Sequence, residues 1–293
     1  MKPPLCCRFK LMNRVQMRPE NTAVDLLVTC SARLDTDAGP QGTAFFVAPG
    51  YAVTAAHVTG GAAGVPVWLS EGPHRWHGHV ADVRPPATSK IAGTSPYPAP
   101  DIALIAIDGG PEHACALLAG KLPELGVRVI TRGHTHTFDQ LTVTAETESF
   151  RLTGTLETPV PGCTLLKLGL GEVTQGMSGA PVIELRTGGV IGMLRTSRKL
   201  GSNLGGWVVP ADLIRVIWPD EVGLGNDRFH QRDSRWRDAA SQLSAHSSSK
   251  ESTPAASGPS IGSVEGDVIS MITGGNVGTV NIEYGPVKGR PGE

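Results

Sequence analysis

Between residues 21 and 219 the apolar positions come in short β-branched runs cut by Gly and Pro. Val24 to Thr29, Thr43 to Val47, Tyr51 to Thr54, Ile102 to Ile107, Val127 to Thr131, Val182 to Leu185 and Val190 to Leu194 are examples. Runs of this length and spacing predict short strands in an all-β sandwich or barrel. The period changes once, after Pro210. There Leu213, Val216 and Ile217 form an i, i+3, i+4 stripe, which predicts a short helix over Ala211 to Trp218. The flanks are different. Residues 1–20 are a polar, basic lead-in expected to be a flexible tail. Residues 220–238 are highly charged, and Ala239 to Ser260 holds eight Ser and two Pro with Leu243 as its one large apolar residue. Residues 220–260 therefore read as a disordered linker. Residues 261–285 turn apolar again but are too few to bury a core of their own, and 286–293 form a tail.

Composition agrees with the β reading. Gly and Pro together, 37 and 23 residues of 293, are too frequent for a helical bundle. Lys plus Arg is 26 and Asp plus Glu is 27, a balance that argues against nucleic acid or a polyanionic membrane surface as partner. No run approaches the roughly 18 apolar residues that a membrane-crossing helix requires. The N-terminal stretch has basic residues but no apolar h-region, so it does not read as a signal peptide. The five cysteines are scattered and odd in number, without a C-x-x-C, which argues against a disulfide framework or zinc ribbon. These features predict a cytoplasmic protein. The excess of Arg over Lys, with abundant Ala and Gly, fits a GC-rich bacterial genome.

Three segments carry candidate chemistry. They are Thr54-Ala55-Ala56-His57, Asp101-Ile102-Ala103-Leu104-Ile105 and Gly176-Met177-Ser178-Gly179-Ala180-Pro181. A nucleophilic serine needs a base to take its proton, and the base needs an acid to hold its tautomer. It also needs backbone N–H groups aimed at the developing oxyanion. A Gly-x-Ser-Gly turn supplies these, here from Gly176 and Ser178. Each segment alone is a weak signal. Together, in the order His, Asp, Ser within a Gly-rich β protein, they are far more specific, and that order is the chymotrypsin one.

On these residues the chain resembles the trypsin-like (chymotrypsin-fold) serine peptidases of compact bacterial type, over about residues 21–219. GTAFFVAPGYAVTAAHV resembles the approach to the family's histidine, DIALI its aspartate motif, and GMSGAPVIELRTGGVIGML its serine loop and hairpin. The resemblance implies two six-stranded antiparallel β-barrels with a short C-terminal helix. It implies His57 as general base, Asp101 as its orienter and Ser178 as nucleophile, acting on a protein or peptide without a cofactor. Many animal members carry Asp just before the serine, to pair with a released N-terminus. This chain has Met177 there, which predicts no N-terminal zymogen switch. Glu172 falls at the base of the implied specificity pocket and Arg195 on or just after its lining strand. An acid at 172 favours a basic residue before the scissile bond, and Arg195 either neutralises it or favours acidic residues. Equally, the two pair with each other or face solvent.

Other features carry less. His74, His77, His79, His134 and His136 have x-His-x-His spacing but no completing ligands, so they read as exposed loop residues and no metal is expected. In the C-terminal island Val268, Ile272, Val280, Ile282 and Tyr284 fall on even positions around the turn Thr273-Gly274-Gly275-Asn276. Two short low-charge strands of this kind can stack with copies of themselves. The segment resembles bacterial amyloid signalling motifs, which implies a receptor or scaffold with a matching motif, engaged through Val268 to Tyr284. A hairpin packed on the protease and a disordered tail are the competing readings. The expected function is an intracellular serine endopeptidase, recruited or activated through this motif in bacterial defence or cell death. The alternative is a catalytically inactive binding or scaffold protein on a protease fold, since fold alone does not guarantee catalysis.

Overall fold

The computed structural model describes residues 19–86, 97–109, 113–136, 143–199 and 201–251, except the side chains of 19, 136 and 244–251. The expected tail over 1–18, the end of the linker, the 261–285 motif and the last eight residues lie outside these. The first barrel contains β1 (Ser31–Thr36), β2 (Gly39–Ala48), β3 (Tyr51–Thr54), β4 (Pro66–Glu71), β5 (His74–Arg84) and β6 (Ile102–Ile107). It closes in the order β1-β2-β3-β6-β5-β4. The second contains β7 (Arg128–His136), β8 (Val143–Glu157), β9 (Thr164–Gly169), β10 (Pro181–Glu184), β11 (Val190–Ser197) and β12 (Gly206–Pro210). It closes in the order β10-β11-β12-β9-β8-β7, and all pairings within both barrels are antiparallel. This is the chymotrypsin-like architecture expected from the motifs. Among the described residues no helix is long and apolar enough to cross a membrane.

Strand burial follows what covers each face. In β5, Gly78, Val80 and Val83 are buried while His77, His79 and Ala81 are exposed; a register shift between Val80 and Asp82 explains the step of three. In β2 every residue from Gly42 to Ala48 is buried. Phe45 and Phe46 point to opposite faces, and Phe46 is covered outside by a stacked His113 at 4.1 Å and an edge-on Trp76 at 4.8 Å. A strand buried on both faces reads as a continuous apolar run, which is how residues 43–47 appear in the sequence.

Two segments differ from expectation. Val24 to Thr29, which reads as a strand, lies in helix α1 (Pro19–Cys30). Ala23, Leu26, Leu27 and Cys30 form its buried stripe, and that helical spacing prevails over the β propensity of Val24, Val28 and Thr29. The expected linker is helical through residue 251. After α2 (Ala211–Ile217), as expected, come a π turn over Pro219–Leu224, α3 (Gly225–Arg232) and α4 (Arg235–Glu251). Their anchors are few but periodic. Val222, Asn226 and His230 are buried at four-residue steps, and Trp236, Ala239 and Leu243 at steps of three and four. Average composition conceals such a stripe. The helices belong to the same compact unit as the barrels.

Asn226 fastens α3 to the barrels. Its Nδ2 donates to the carbonyls of Val47 at 2.6 Å and Ala116 at 2.7 Å, and its Oδ1 accepts from the N–H of Leu118 at 3.3 Å. A second polar tie joins barrel to barrel. Arg132 on β7 donates to Glu71 Oε1 at 2.9 Å and to Ser31 Oγ at 3.1 Å, and His134 Nε2 donates to Glu71 Oε2 at 3.1 Å. Burial pushes the Glu71 carboxyl upward, but the hydrogen bonds and charges of His134 and Arg132 outweigh it and hold the group below its ordinary 4.5.

Asn226→Ala leaves buried backbone groups without partners and is expected to cost about 2–4 kcal/mol in chemical denaturation. The stability supplied by Glu71 is present in full above the ordinary carboxylate range and disappears as pH falls through the depressed folded value. Urea midpoints measured from pH 7 down to pH 3 should therefore fall less steeply for Glu71→Gln than for the wild type, from a lower starting midpoint.

Candidate active site

His57 follows β3 in a single 3₁₀ turn, Ala56–Thr59, closed by Gly60 in the left-handed region. Ala56, Val58 and Thr59 are buried, which leaves the imidazole as the exposed side chain of the turn, 35% exposed. Asp101 immediately precedes β6. Because β6 pairs with β3, Thr54 lies opposite Ala103, and residues 44 apart in sequence meet. The Asp101 carboxylate is 1% exposed. Its Oδ2 accepts from His57 Nδ1 at 2.9 Å and its Oδ1 accepts from the His57 backbone N–H at 3.0 Å. Its carbonyl accepts from the Ala56 N–H at 3.2 Å. Asp101 has φ of +62°, a region that Asp tolerates better than most side chains. The bonds on both sides of it hold the residue there. Nδ1 is thus committed to the carboxylate, and among the described residues Nε2 has no hydrogen-bond partner.

Ser178 lies on a turn before β10. Its main chain is docked on the first barrel, where Thr43 of β2 donates its N–H to the Ser178 carbonyl at 3.0 Å. The Thr43 hydroxyl donates to the Gly176 carbonyl at 3.0 Å and accepts from the His134 N–H at 2.8 Å. The Thr43 carbonyl accepts from Thr54 Oγ1 at 2.7 Å. Gly176 and Gly179 have φ of +97° and +91°. A Cβ at Gly179 would collide with the Thr43 carbonyl, and one at Gly176 with the His134 carbonyl. Among the described residues no carbonyl accepts from the N–H of Gly176 or Ser178, so both are available to an incoming oxyanion. Val58, next to His57, and the Ser178 carbonyl both lie within 3.0 Å of where a Cβ on Gly42 would stand. The structure therefore brings the histidine turn and the serine turn to one seam. Among the described residues Ser178 Oγ makes no hydrogen bond to His57. Catalytic hydrogen bonds are often long in unliganded sites and tighten on substrate binding.

The two residues expected at the specificity pocket part company. Glu172 is exposed, near enough to Glu148 to help push that carboxyl upward, after burial and Glu146. Arg195 on β11 is buried and turns instead to the aspartate. Its Nε lies 3.2 Å from Asp101 Oδ2, and its Nη2 donates to the Tyr97 carbonyl. Among the described residues no ion pair joins Arg195 to Glu172. A buried guanidinium requires a carboxylate partner, and Asp101 is the one within reach. Met177 is fully buried in the core of the second barrel, against Gly133.

The histidine pairs read as loop residues are on strands. His74, His77 and His79 are on β5, His134 is buried on β7, and His136 ends β7. Among the described residues no group of three or more His, Cys, Asp or Glu side chains is arranged to hold a metal ion. Cys30, Cys115 and Cys163 are free and buried. Burial pushes the Cys30 thiol up to about 12 and raises Cys115 as well, so neither offers a competing nucleophile. Thr43, His134 and Arg195 are the site-shaping residues whose roles sequence did not show. None has a residue type or spacing that marks such a role.

The family model of the trypsin-like peptidase domain matches residues 42–193 of this chain. No curated protein matches. Among solved structures, the active form of the Rv3671c protease from M. tuberculosis is similar at 20% identity and a TM-score of 0.51, over 76% of this chain and 94% of that one. The HtrA-type protease AlgW with a decapeptide is similar at 15% identity and a TM-score of 0.51, over 71% and 69%. Neuropsin, a serine protease of mouse brain, is similar at 18% and 0.51, over 65% and 92%. These likenesses are of fold. With a family match over more than half its length and both barrels closed, the chain belongs to the trypsin-like peptidase domain family and is a serine endopeptidase of that type.

Proposed function

We propose that this endopeptidase cleaves peptide bonds through an acyl-enzyme, with Ser178 as nucleophile, His57 as general base and Asp101 as its orienter. The observation that carries the reading is the buried Asp101 carboxylate, bonded to both the backbone N–H and Nδ1 of His57. That geometry holds Nε2 free of its N–H, so it can take the Ser178 proton as the hydroxyl attacks the substrate carbonyl. Gly176 and Ser178 N–H groups receive the oxyanion. The imidazolium returns the proton to the leaving amine, and water, activated by the same base, releases the acyl group.

For the remainder of the chain we propose recruitment of the protease through residues 261–285, by a receptor or scaffold with a matching cross-β motif inside the cell. Alternating apolar positions, low charge and the Thr273-Gly274-Gly275-Asn276 turn support this reading.

A fluorophosphonate probe should label the wild-type protein at Ser178, and Ser178→Ala should cut hydrolysis of an unfolded protein substrate by about three orders of magnitude or more with an unchanged melting temperature. A wild-type protein that is neither labelled at Ser178 nor hydrolytic makes the inactive-scaffold reading the correct one, and near-normal hydrolysis by the Ala variant overturns the assignment of Ser178 as nucleophile. A peptide of residues 261–285 should form thioflavin-positive fibres. A peptide that stays monomeric at high concentration removes the basis of the recruitment proposal.

A further inference from the structure

Asp101 is shared. Its Oδ2 accepts from His57 Nδ1 at 2.9 Å and lies 3.2 Å from Arg195 Nε, with the Asp101 side chain 1% and the Arg195 side chain 8% exposed. Arg195 reaches the aspartate from the second barrel, whereas His57 and Asp101 belong to the first. Arg195 is held on its far side by the Tyr97 carbonyl. The residue before it, Leu194, accepts from the Gly179 N–H at 2.8 Å and donates to the Ala180 carbonyl at 2.7 Å. One strand therefore positions both the serine turn and a fixed cation beside the aspartate.

A carboxylate that orients a catalytic imidazole also stabilises the imidazolium formed as the proton moves. A permanent guanidinium charge on the same oxygen opposes that cation. The charged and titratable groups facing the carboxylate are His57 from the 3₁₀ turn and Arg195 from β11, with the Tyr97 phenol nearby. Burial, and then the charge of Asp101, raise that phenol, so it is neutral at working pH. Arg195 is thus the permanent positive charge on the pair.

We propose that Arg195 is a positioning residue that tempers the catalytic base: it fixes the Asp101 carboxylate across the barrel seam while its charge makes the His57 imidazolium harder to form. This rests on the triad proposed above. It assigns Arg195 to the chemistry of the base and not to substrate selection.

The pH dependence of fluorophosphonate labelling at Ser178 reads the base directly and needs no knowledge of the natural substrate. Neutral variants Arg195→Gln and Arg195→Met should move the acidic limb of the labelling rate to higher pH by about one unit, with a higher plateau. Arg195→Lys keeps the charge and should keep the wild-type limb. A folded neutral variant with an unmoved limb overturns the proposal, as does an equal shift in Arg195→Lys. If neither neutral variant folds, the smaller neutral variant Arg195→Ala is labelled with and without added guanidinium ion. A limb that guanidinium returns to lower pH supports the charge role, and one that it leaves unmoved overturns it. A wild-type protein that is not labelled at Ser178 overturns the triad reading itself, a different outcome from labelled wild type with an unmoved limb.

Discussion

The geometry of the candidate site turns on the hydrogen bonds around Thr43. Through its N–H, hydroxyl and carbonyl this one residue of β2 reaches the Ser178 carbonyl, the Gly176 carbonyl, the His134 N–H and Thr54 Oγ1. The serine turn comes from the second barrel and the histidine turn from the first. Neither barrel alone contains a site. The turn can approach the Thr43 carbonyl closely only because position 179 lacks a Cβ, and the His134 carbonyl only because position 176 does, and their left-handed φ is what turns the peptide groups. A network of neutral hydrogen bonds centred on the buried Thr43 fixes relative position well, because a bond left unmade there would carry a desolvation penalty.

Charge is placed around that seam in two distinct ways. On one side Glu71, Arg132 and His134 tie β4 to β7, with a carboxylate held ionised by its partners. On the other, Arg195 and His57 converge on the Asp101 carboxylate. The first network is structural and connects to the serine turn through the His134 main chain and Thr43. The second contains the proposed base and its orienter. In both, an arginine of the second barrel finds its carboxylate partner on the first, so the barrels must close on each other for either charge to be buried tolerably.

Much of the fold was legible in the chain because barrel strands leave a strong local signal: Thr43 to Val47, Tyr51 to Thr54 and Ile102 to Ile107 are short apolar runs bounded by turn residues, and each is a strand. Val24 to Thr29 is helical despite its β-branched content, because the 23, 26, 27, 30 spacing lets one helical face be buried. The helices after Pro219 were hidden because their charged and Ser-rich composition is that of the solvent-facing side. Two buried residues in α3, Asn226 and His230, and three among the described side chains of α4, Trp236, Ala239 and Leu243, suffice once a barrel supplies the opposing surface.

What the sequence by itself determined was the set of candidate groups: His57, Asp101 and Ser178, with the glycines beside the serine, stand out by residue type and order, because a nucleophilic serine needs a base, an acid to orient it and backbone N–H donors. What only the tertiary structure decided was which groups surround them. Arg195 looks like a lining residue of a pocket when read along β11, and becomes a neighbour of Asp101 only when the second barrel lies against the first. The reason is physical. The identity of a nucleophile and its base is a local chemical requirement, whereas the partner of a buried charge is whichever opposite charge the closed fold brings within about 3–4 Å.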